Sequence, residues 1–343
     1  MVVALPPPLQ ELVRFLASES FVKAAVFPGA TFVAVLGILS VWYERKLLAR
    51  IMLRPGPLHV GKYGGWLQVI ADAVKFLSKE FIIPARAKKK LFVSMPLTAL
   101  FLSALLFAFL PFSEYWVIYR SEIGVLLVFV LIALTPIPLI IAGWAAGSKY
   151  SFVGMLRFAF QIFAYEVPLF IALAGVILAA RSFDIVDIVN AQYALPFIVT
   201  QFIGFLVFFI AAVSEAERIP FDLPTAEQEL VEGWMVEYGG VGFLGIQLAM
   251  YTKLDALLFL TVDLYLGGWH GPAIPGVPET ILQPFWVFVK FLILLTIVFM
   301  FRGVYTRITI RKILDLGWRY LIPLGFINLF LVSLTIYLPT ILA

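Results

Sequence analysis

Seven carboxylates and one arginine lie between two long apolar stretches, in the segment SEAERIPFDLPTAEQELVEGWMVEYGG at residues 214–240. Large apolar residues such as Leu230, Trp234 and Met235 are interleaved with the acids, so we expect the segment to pack against protein. The alternative is a solvated acidic loop. Crowded, partly buried carboxylates raise one another's proton affinity and titrate as a coupled set, which predicts proton exchange near neutral pH. The acids are Glu215, Glu217, Asp222, Glu227, Glu229, Glu232 and Glu237.

A local pattern indicates how the second half of this segment is held. Thr225, followed by Gln228 three residues later, fits a capping box and predicts the start of a helix. That helix would carry Glu227, Glu229 and Glu232, and the last two would share one face because they are three residues apart.

Composition places these acids in a membrane protein. Of the 343 residues, 62% are hydrophobic and 13% are charged, whereas soluble domains carry about 25% charged residues. Apolar stretches of about 20 residues, each long enough to cross a bilayer, recur along the chain. We predict an all-α polytopic protein with about eight transmembrane helices, forming a single membrane domain over residues 1–343 and lacking a signal peptide. The predicted spans are 26–47, 92–112, 122–146, 152–180, 195–214, 240–266, 282–301 and 320–342.

Two shorter segments, 8–23 and 65–80, are predicted to be amphipathic helices on the membrane surface. In the second, Leu67, Ile70, Val74 and Leu77 form one apolar face. The segments 44–90, 147–157, 215–238 and 302–319 hold 19 of the 25 Lys and Arg residues. The positive-inside rule therefore places them in the cytoplasm and both termini outside.

The chain has no cysteine and two histidines. It therefore cannot hold a cysteine-ligated iron–sulfur cluster, and two histidines are too few for a haem-bearing electron carrier with paired histidine ligands. We predict no catalytic residue, metal site or bound cofactor on this chain, so any redox cluster belongs to a partner. The missing cysteine and scarce asparagine hint at a thermophile.

Several charged residues fall inside predicted spans, where a charge costs about 2.5–3.5 kcal/mol. Glu166 lies near the middle of the fourth span, two residues before Pro168, which can kink a helix and free a carbonyl. Lys253 and Asp255 lie in the sixth span, with Lys253 expected to meet a carboxylate on another helix, and Lys290 lies in the seventh. For Glu166 the alternatives are an ion path or a carboxyl satisfied by a neighbouring helix. For the lysines they are a proton relay or a structural ion pair.

Other residues bear on packing. Pro136 and Pro138 are expected to distort the third span. Gly143, Gly147 and Gly154 are expected to let helices approach closely.

Long motifs in this order resemble subunit 1 of respiratory complex I, which is also called its H-type subunit. They are YERKLLARIMLRPGP at 43–57, GGWLQVIADAVKFLSKE at 64–80, SKYSFVGMLRFAFQIFAYEV at 148–167, the acidic segment, LGGWHGP at 266–272 and FRGVYTRI with LGWRYLIPL within 301–324. The resemblance covers nearly the whole chain. In this family the subunit joins the hydrophilic redox arm to the membrane arm.

The resemblance implies two groups of functional residues. The first group links the redox-arm interface to ion movement in the membrane. When the acids and lysines described above are included, its predicted members are Glu166, Glu215, Glu217, Asp222, Glu227, Glu229, Glu232, Glu237, Lys253, Asp255 and Lys290. The other borders a quinone-like cavity under the terminal iron–sulfur cluster, and we predict Glu44, Arg45, Arg54, Asp72 and Arg218.

The resemblance also implies partners. These are antiporter-like and small helical membrane subunits, together with hydrophilic iron–sulfur and hydrogenase-like large subunits. The basic 44–90 loop, with eleven Lys and Arg against three acids, suits an acidic protein surface. It suits anionic lipid headgroups equally well, above all at Lys88, Lys89 and Lys90.

Departures from the family pattern concern the quinone pocket. Quinone-reducing members commonly have GPN where this chain has Pro57 and Leu58, and an acid where it has Met250. Further departures are Trp234, Met235 and Gly240 in WMVEYGG, and Arg311 with Lys312. We therefore prefer a quinone-independent, ferredoxin-driven hydrogenase or sulfane sulfur reductase of a thermophilic archaeon, in the plasma membrane.

The alternative is a quinone-binding subunit of an NADH, F420 or ferredoxin:quinone oxidoreductase. A stand-alone ion transporter is remote because the acidic segment and the 44–80 loop have no second copy, whereas such transporters commonly contain repeats. The sequence leaves open the electron donor, the terminal acceptor and whether H⁺ or Na⁺ is pumped.

Overall fold

The computed structural model describes residues 18–61 and 64–342, and in that part of the chain it contains helices and loops but no β-strand. The helices are α1 (Ala30–Ile51), α2 (Gln68–Ser78), α3 (Lys89–Leu105), α4 (Gly124–Leu134), α5 (Pro136–Ala146), α6 (Lys149–Ala180), α7 (Ile185–Ala191), α8 (Phe197–Thr200), α9 (Phe202–Glu215), α10 (Glu227–Leu230), α11 (Gly240–Tyr265), α12 (Glu279–Val304), α13 (Ile310–Asp315) and α14 (Ile322–Leu342).

Seven helical stretches of the described chain are long and apolar enough to cross a membrane, which confirms the polytopic all-α prediction. The fifth predicted span differs from the others. It consists of α8 and the 14-residue α9, which are separated at Gln201. The seven longer stretches are Glu19–Ile51, Lys89–Ala108, Gly124–Ala146, Lys149–Ala180, Gly240–Tyr265, Glu279–Val304 and Ile310–Ile336.

Helix α11 lies at the centre of the bundle and contacts α1, α3, α9 and α12. Every residue from 249 to 265 is buried. A helix surrounded in this way needs apolar residues on all sides, since no face meets water. It nevertheless carries Lys253, Asp255 and Asp263, each at most 3% exposed. Each of these charges requires a compensating partner on a neighbouring helix or loop.

The predicted distortion at Pro136 and Pro138 is confirmed, because the third span is divided at Thr135 into α4 and α5. Proline at 136 removes the N–H that would bond to the carbonyl of Ile132, four residues earlier. The Thr135 hydroxyl donates to that same carbonyl at 2.8 Å. The break is therefore satisfied locally, as the hydrocarbon region requires. By contrast, α6 runs unbroken through Pro168 over 32 residues.

The prediction of a surface helix at 65–80 is confirmed in α2, with its apolar face directed outward. Ile70, Val74 and Leu77 are 41%, 59% and 59% exposed. The opposite face, which includes Asp72 and Ala73, points into the protein. The other predicted surface helix, 8–23, lies largely outside the described residues, which begin with a turn at Glu19–Phe21 that continues to Val26.

The capping box predicted at Thr225 is wrong. Thr225 ends a 3-10 turn, and its hydroxyl donates to the Asp222 carbonyl at 3.4 Å instead of capping a helix. Helix α10 then spans four residues and receives no side-chain cap. Val231 and Glu232 have left-handed backbones, with φ of 51° and 72°, so Glu232 lies beyond the helix and does not share a helical face with Glu229.

The predicted close approach at the small residues is confirmed. A Cβ added to Gly154 of α6 would lie 2.5 Å from the backbone nitrogen of Trp234, and one added to Gly143 of α5 would lie 3.0 Å from the Cβ of Trp234. Trp234 is fully buried between these helices. The two glycines thereby let the acidic segment sit directly against α5 and α6.

Replacing Gly154 by alanine should destabilise the protein, because the added methyl group overlaps backbone that cannot move as a side chain can. Overpacking of this kind costs about 1–3 kcal/mol. Gly154→Ala should lower the midpoint of thermal unfolding of the purified complex, whereas Gly239→Ala, whose Cβ would meet nothing within 4 Å, serves as the control. Equal midpoints for the two variants would contradict the packing argument.

Candidate functional site

A cavity of about 770 Å³ lies between α1, α2, the acidic segment, α11 and the end of α12. This volume falls within the range of about 300–1,000 Å³ typical of small-molecule sites. Apolar residues such as Val41, Leu48 and Phe243 share its wall with charged residues. The charged members include all five residues predicted for the interface or quinone-like cavity: Glu44, Arg45, Arg54, Asp72 and Arg218.

The carboxylate of Glu44 is the centre of the charged wall. It is 1% exposed. The Tyr251 hydroxyl donates to its Oε2 at 2.5 Å, Arg218 donates to the same oxygen at 3.4 Å, and Arg302 donates to Oε1. The partners come from the acidic segment, α11 and α12, so Glu44 ties three parts of the chain together. Charge-assisted bonds of this kind are about twice as strong as neutral ones.

Arg218 connects the charged group around Glu44 to residues of α11. Its guanidinium lies 3.9 Å from the centre of the Tyr251 ring, a cation–π contact. It also interacts electrostatically with Asp255. Asp255 is fully buried, and Ser40 Oγ lies 2.9 and 3.0 Å from its two carboxylate oxygens, so the two oxygens share one hydroxyl donor.

A second ion pair lies farther from the cavity. Lys253 of α11 contacts Glu215 at the end of α9 with an N–O distance of 2.7 Å, and both side chains are at most 4% exposed. The predicted meeting of Lys253 with a carboxylate on another helix is therefore confirmed. Glu166, half-buried on α6, is within electrostatic range of both residues.

Glu217 lies between the cavity and this second pair. Its carboxylate lines the cavity and accepts a bond of 3.3 Å from the indole nitrogen of Trp234. Burial raises the pKa of Glu217 to about 7, and the opposing attraction of Lys253 and the Trp234 bond only moderates that effect. Its backbone is left-handed, with φ of 51°, a conformation that costs a non-glycine residue roughly 1–2 kcal/mol. This carboxyl can therefore exchange a proton near neutral pH.

Arginines hold the rim of the cavity. Arg45 of α1 binds Asp72 of α2, and Gln68 adds a bond of 3.0 Å. Burial alone would raise the pKa of Asp72, but the bonds from Arg45 and Gln68 outweigh it and hold this pKa below its ordinary value. On the opposite rim Arg307 binds both oxygens of Asp222 at 2.7–3.0 Å.

The acidic segment does not form one dry cluster, which corrects the prediction of a single coupled set. Glu215, Glu217 and Asp222 are buried, Glu237 is half-buried, and Glu227, Glu229 and Glu232 are exposed. Of the exposed three, Glu227 and Glu232 border the cavity, while Glu229 pairs with Arg157 of α6. Partial burial and the nearby Glu227 carboxylate raise the pKa of Glu232.

Lys290 lies apart from all these groups. Its ammonium donates to the carbonyls of Leu266, Gly268 and His270, in the loop that follows α11.

Sequence reasoning also missed three residues of the site, Tyr251, Arg302 and Arg307. Arg302 and Arg307 belong to a basic stretch at the end of an apolar span, but their partners Glu44 and Asp222 are 258 and 85 residues away. Such distant pairs leave no local spacing signal.

The fold and the site together define a multi-pass membrane protein built around a charged cavity and a chain of buried ion pairs. Residues 23–333 match the model of the NADH dehydrogenase family. The chain is 40% identical to the second H-type subunit of the NADH-quinone oxidoreductase of Syntrophobacter fumaroxidans, covering 84% of this chain and 88% of that protein. It is 37% identical to the corresponding NADH-quinone oxidoreductase subunit of Geobacillus thermodenitrificans, covering 92% and 96%. The chain therefore belongs to the subunit 1 family of respiratory complex I.

The names of these relatives favour the quinone alternative over the hydrogenase or sulfane sulfur reductase type that the departures led us to prefer. A third relative, from Dehalococcoides mccartyi, is 37% identical over 305 residues and is also an H-type subunit of an NADH-quinone oxidoreductase. The three organisms are bacteria, so the comparison does not support a thermophilic archaeon. A subunit of this family works within a multisubunit membrane complex.

The raised pKa of Glu217 predicts how stability depends on pH. The pKa of this carboxyl is about 7 in the folded state, against an ordinary value of 4.5 in the unfolded state. The folded state therefore holds the proton more tightly, which stabilises the fold at low pH. This contribution is complete below pH 4.5 and is lost as pH rises through about 7. The full difference corresponds to about 3 kcal/mol. Glu217→Gln, which keeps the acceptor for Trp234, should reduce the fall in thermal unfolding midpoint between pH 5 and pH 8.5. The exposed Glu80→Gln is the control, and a pH dependence of Glu217→Gln equal to that of wild type would refute the assignment.

Proposed function

We propose that this chain is the quinone-site membrane subunit of a complex I-type oxidoreductase, and that it couples quinone reduction to ion movement in the membrane arm. One observation carries the proposal: a cavity of about 770 Å³ directly adjoins the buried charged groups centred on Glu44. A reaction that changes charge in the cavity would therefore act on those groups at short range and low dielectric.

The cavity wall has the features that a quinone requires. A ring with two carbonyl oxygens needs apolar contact for its faces and hydrogen-bond donors for its oxygens. Val41, Leu48 and Phe243 supply apolar surface. Among the lining donors, Arg302 and Gln247 would hold a carbonyl, and the Tyr251 hydroxyl, which donates to Glu44, would lie beside it.

The buried groups suggest a route for coupling away from the cavity. Glu217 and Arg218 lie at the wall, Lys253 and Glu215 follow behind it, and Glu166 lies farthest out on α6. Four buried carboxylates, Glu44, Glu215, Glu217 and Asp255, face three cations, Arg218, Lys253 and Arg302. Because a buried unpaired charge is costly, a change of charge in the cavity favours a compensating change at Glu217 and then toward Glu166. We propose that Glu166 passes this change to a neighbouring membrane subunit.

The exposed acids suggest where the hydrophilic arm docks. Glu227, Glu229 and Glu232 lie on the outer side of the same segment whose inner side holds Glu217. A partner iron–sulfur subunit seated there, and against the basic 44–90 loop, would bring its terminal cluster near the cavity. Electrostatic complementarity of both signs would fix its orientation.

The hydrogenase-type alternative retains one supporting observation. Two of the departures from the quinone-reducing pattern, Met235 and Met250, line the cavity itself. If the redox partner reduces protons or sulfur, the cavity does not need to admit a quinone, and the ion-coupling route would be unchanged.

Blocking the cavity distinguishes these alternatives. Ala73 of α2 lines the cavity, whereas the next residue, Val74, is 59% exposed on the outward face. Ala73→Trp should lower quinone-dependent turnover of the purified complex at least tenfold because the indole fills space that the quinone ring needs, and Val74→Trp should leave turnover within about twofold. Full turnover in Ala73→Trp, with electrons delivered to another acceptor, would support the quinone-independent type.

Neutralising Glu166 tests the coupling route separately. Glu166→Gln keeps the shape of the side chain but cannot release a proton, so ion translocation by the complex in proteoliposomes should fall to near background. The exposed Glu122→Gln on a distant loop is the matched control and should pump normally. Wild-type ion transport per electron in Glu166→Gln would exclude this residue from the route.

A further inference from the structure

A second group of buried polar side chains lies at the opposite end of the helices that form the cavity. The cavity meets the first half of α11 and the last turn of α12. The second group involves Asp263 near the end of α11 and Lys290 in the first half of α12. Asp255 and Asp263 are eight residues apart, roughly 12 Å along the helix. The residues between them are buried, and the only hydroxyl among them, that of Thr261, donates to the Leu257 carbonyl of its own helix.

The loop after α11 folds into the bundle to meet Lys290. Residues 267–269 are buried, and 271–280 are exposed. The ammonium of Lys290 donates to the carbonyls of Leu266, Gly268 and His270, each at 2.7 Å. All three of its N–H groups are thereby used, since an ammonium has three donors. Three carbonyl oxygens converging on one point form a cage that matches the three N–H donors of a primary ammonium.

Asp263 is an acidic side chain near the ammonium that does not contact it. It is 1% exposed, and within the described residues neither of its carboxylate oxygens has a hydrogen-bond partner. It interacts electrostatically with Lys290. The backbone around it is tightly held: Gln192 donates to the Asp263 carbonyl at 2.7 Å and accepts from the Gly267 amide at 3.0 Å.

We propose that Lys290, Asp263 and the three carbonyls form a cation site, here called the cation lock. In this site the lysine ammonium holds the 266–270 loop against the end of the bundle remote from the cavity. The three carbonyls bind the ammonium directly, and Asp263 balances its charge. Lys290 is thus a positioning residue for the 266–270 loop, and the lock is separate from the chain of ion pairs near Glu217. Removing the lysine side chain should leave a site that takes a free ammonium-type cation.

The test uses the complete purified complex and hydrogen–deuterium exchange of the peptide covering 262–278. In Lys290→Ala we expect exchange at least tenfold faster than in wild type, and methylammonium chloride at about 50 mM should restore most of the protection. Sodium chloride at the same ionic strength should not, because three carbonyl oxygens do not replace the hydration shell that this smaller, strongly hydrated ion would lose. Wild type should be unaffected by methylammonium.

Matched variants separate charge from bulk. Lys290→Met fills similar volume without a charge, so it should exchange quickly and gain nothing from methylammonium. Asp263→Asn in the Lys290→Ala background should weaken the rescue by removing the balancing charge. Slow exchange in Lys290→Met, or equal effects of methylammonium and sodium on Lys290→Ala, would overturn the lock. If Lys290→Ala does not assemble, Lys290→Arg is measured instead. Its planar guanidinium cannot direct three bonds to one cage, so we expect faster exchange than in wild type. Exchange equal to wild type would overturn the lock.

Discussion

Buried charge is the constraint on which this structure depends. Four carboxylates and three cations lie between α1, α9, α11 and α12, and nearly all are out of contact with water. Removing one partner from a buried pair costs about 3–5 kcal/mol. The helices that carry them can therefore occupy few relative positions. Glu44 illustrates the point, because it binds Arg218 and Arg302 from separate parts of the chain, and its pairing sets the distance between α1, the acidic segment and α12.

The same constraint explains the contrast between the two ends of α11. At the cavity end, charges are paired in sequence from Glu44 to Lys253, and Glu217 can gain or lose a proton near pH 7. At the other end, Lys290 is saturated by three carbonyls, and the hydroxyl of Thr261 is used within its own helix. A dry interval lies between the two groups. In the proposed coupling route, a change of charge in the cavity therefore has charged partners toward Glu166, whereas no charged side chain lies between Asp255 and Asp263 on α11.

Sequence patterns predicted the elements better than their contacts. The spans, the break at Pro136 and the close approach at Gly154 follow from hydropathy, missing N–H groups and missing Cβ atoms, which are local properties. The Thr225 capping pattern misled because tertiary contacts, including Arg307 with Asp222 and Gln228, hold the segment in short turns. The partners of Glu44 could not be predicted, because long-range pairing leaves no trace in spacing. The five cavity residues were found only through family resemblance.

The division of the acidic segment answers why so apolar a chain gathers carboxylates in one place. A segment that is buried on one side and exposed on the other can present acids to two environments at once. Glu217 on the inner side shares a low-dielectric site with Lys253, while Glu227 and Glu232 on the outer side border the cavity mouth. Of the cations in this group only Arg218 and Lys253 are buried, whereas Arg302 is 41% exposed. The buried carboxylates therefore outnumber the buried cations, and protonation of one acid reduces the excess negative charge. Glu217, whose pKa burial raises to about 7, is the member of the segment best suited to alternate between the two states.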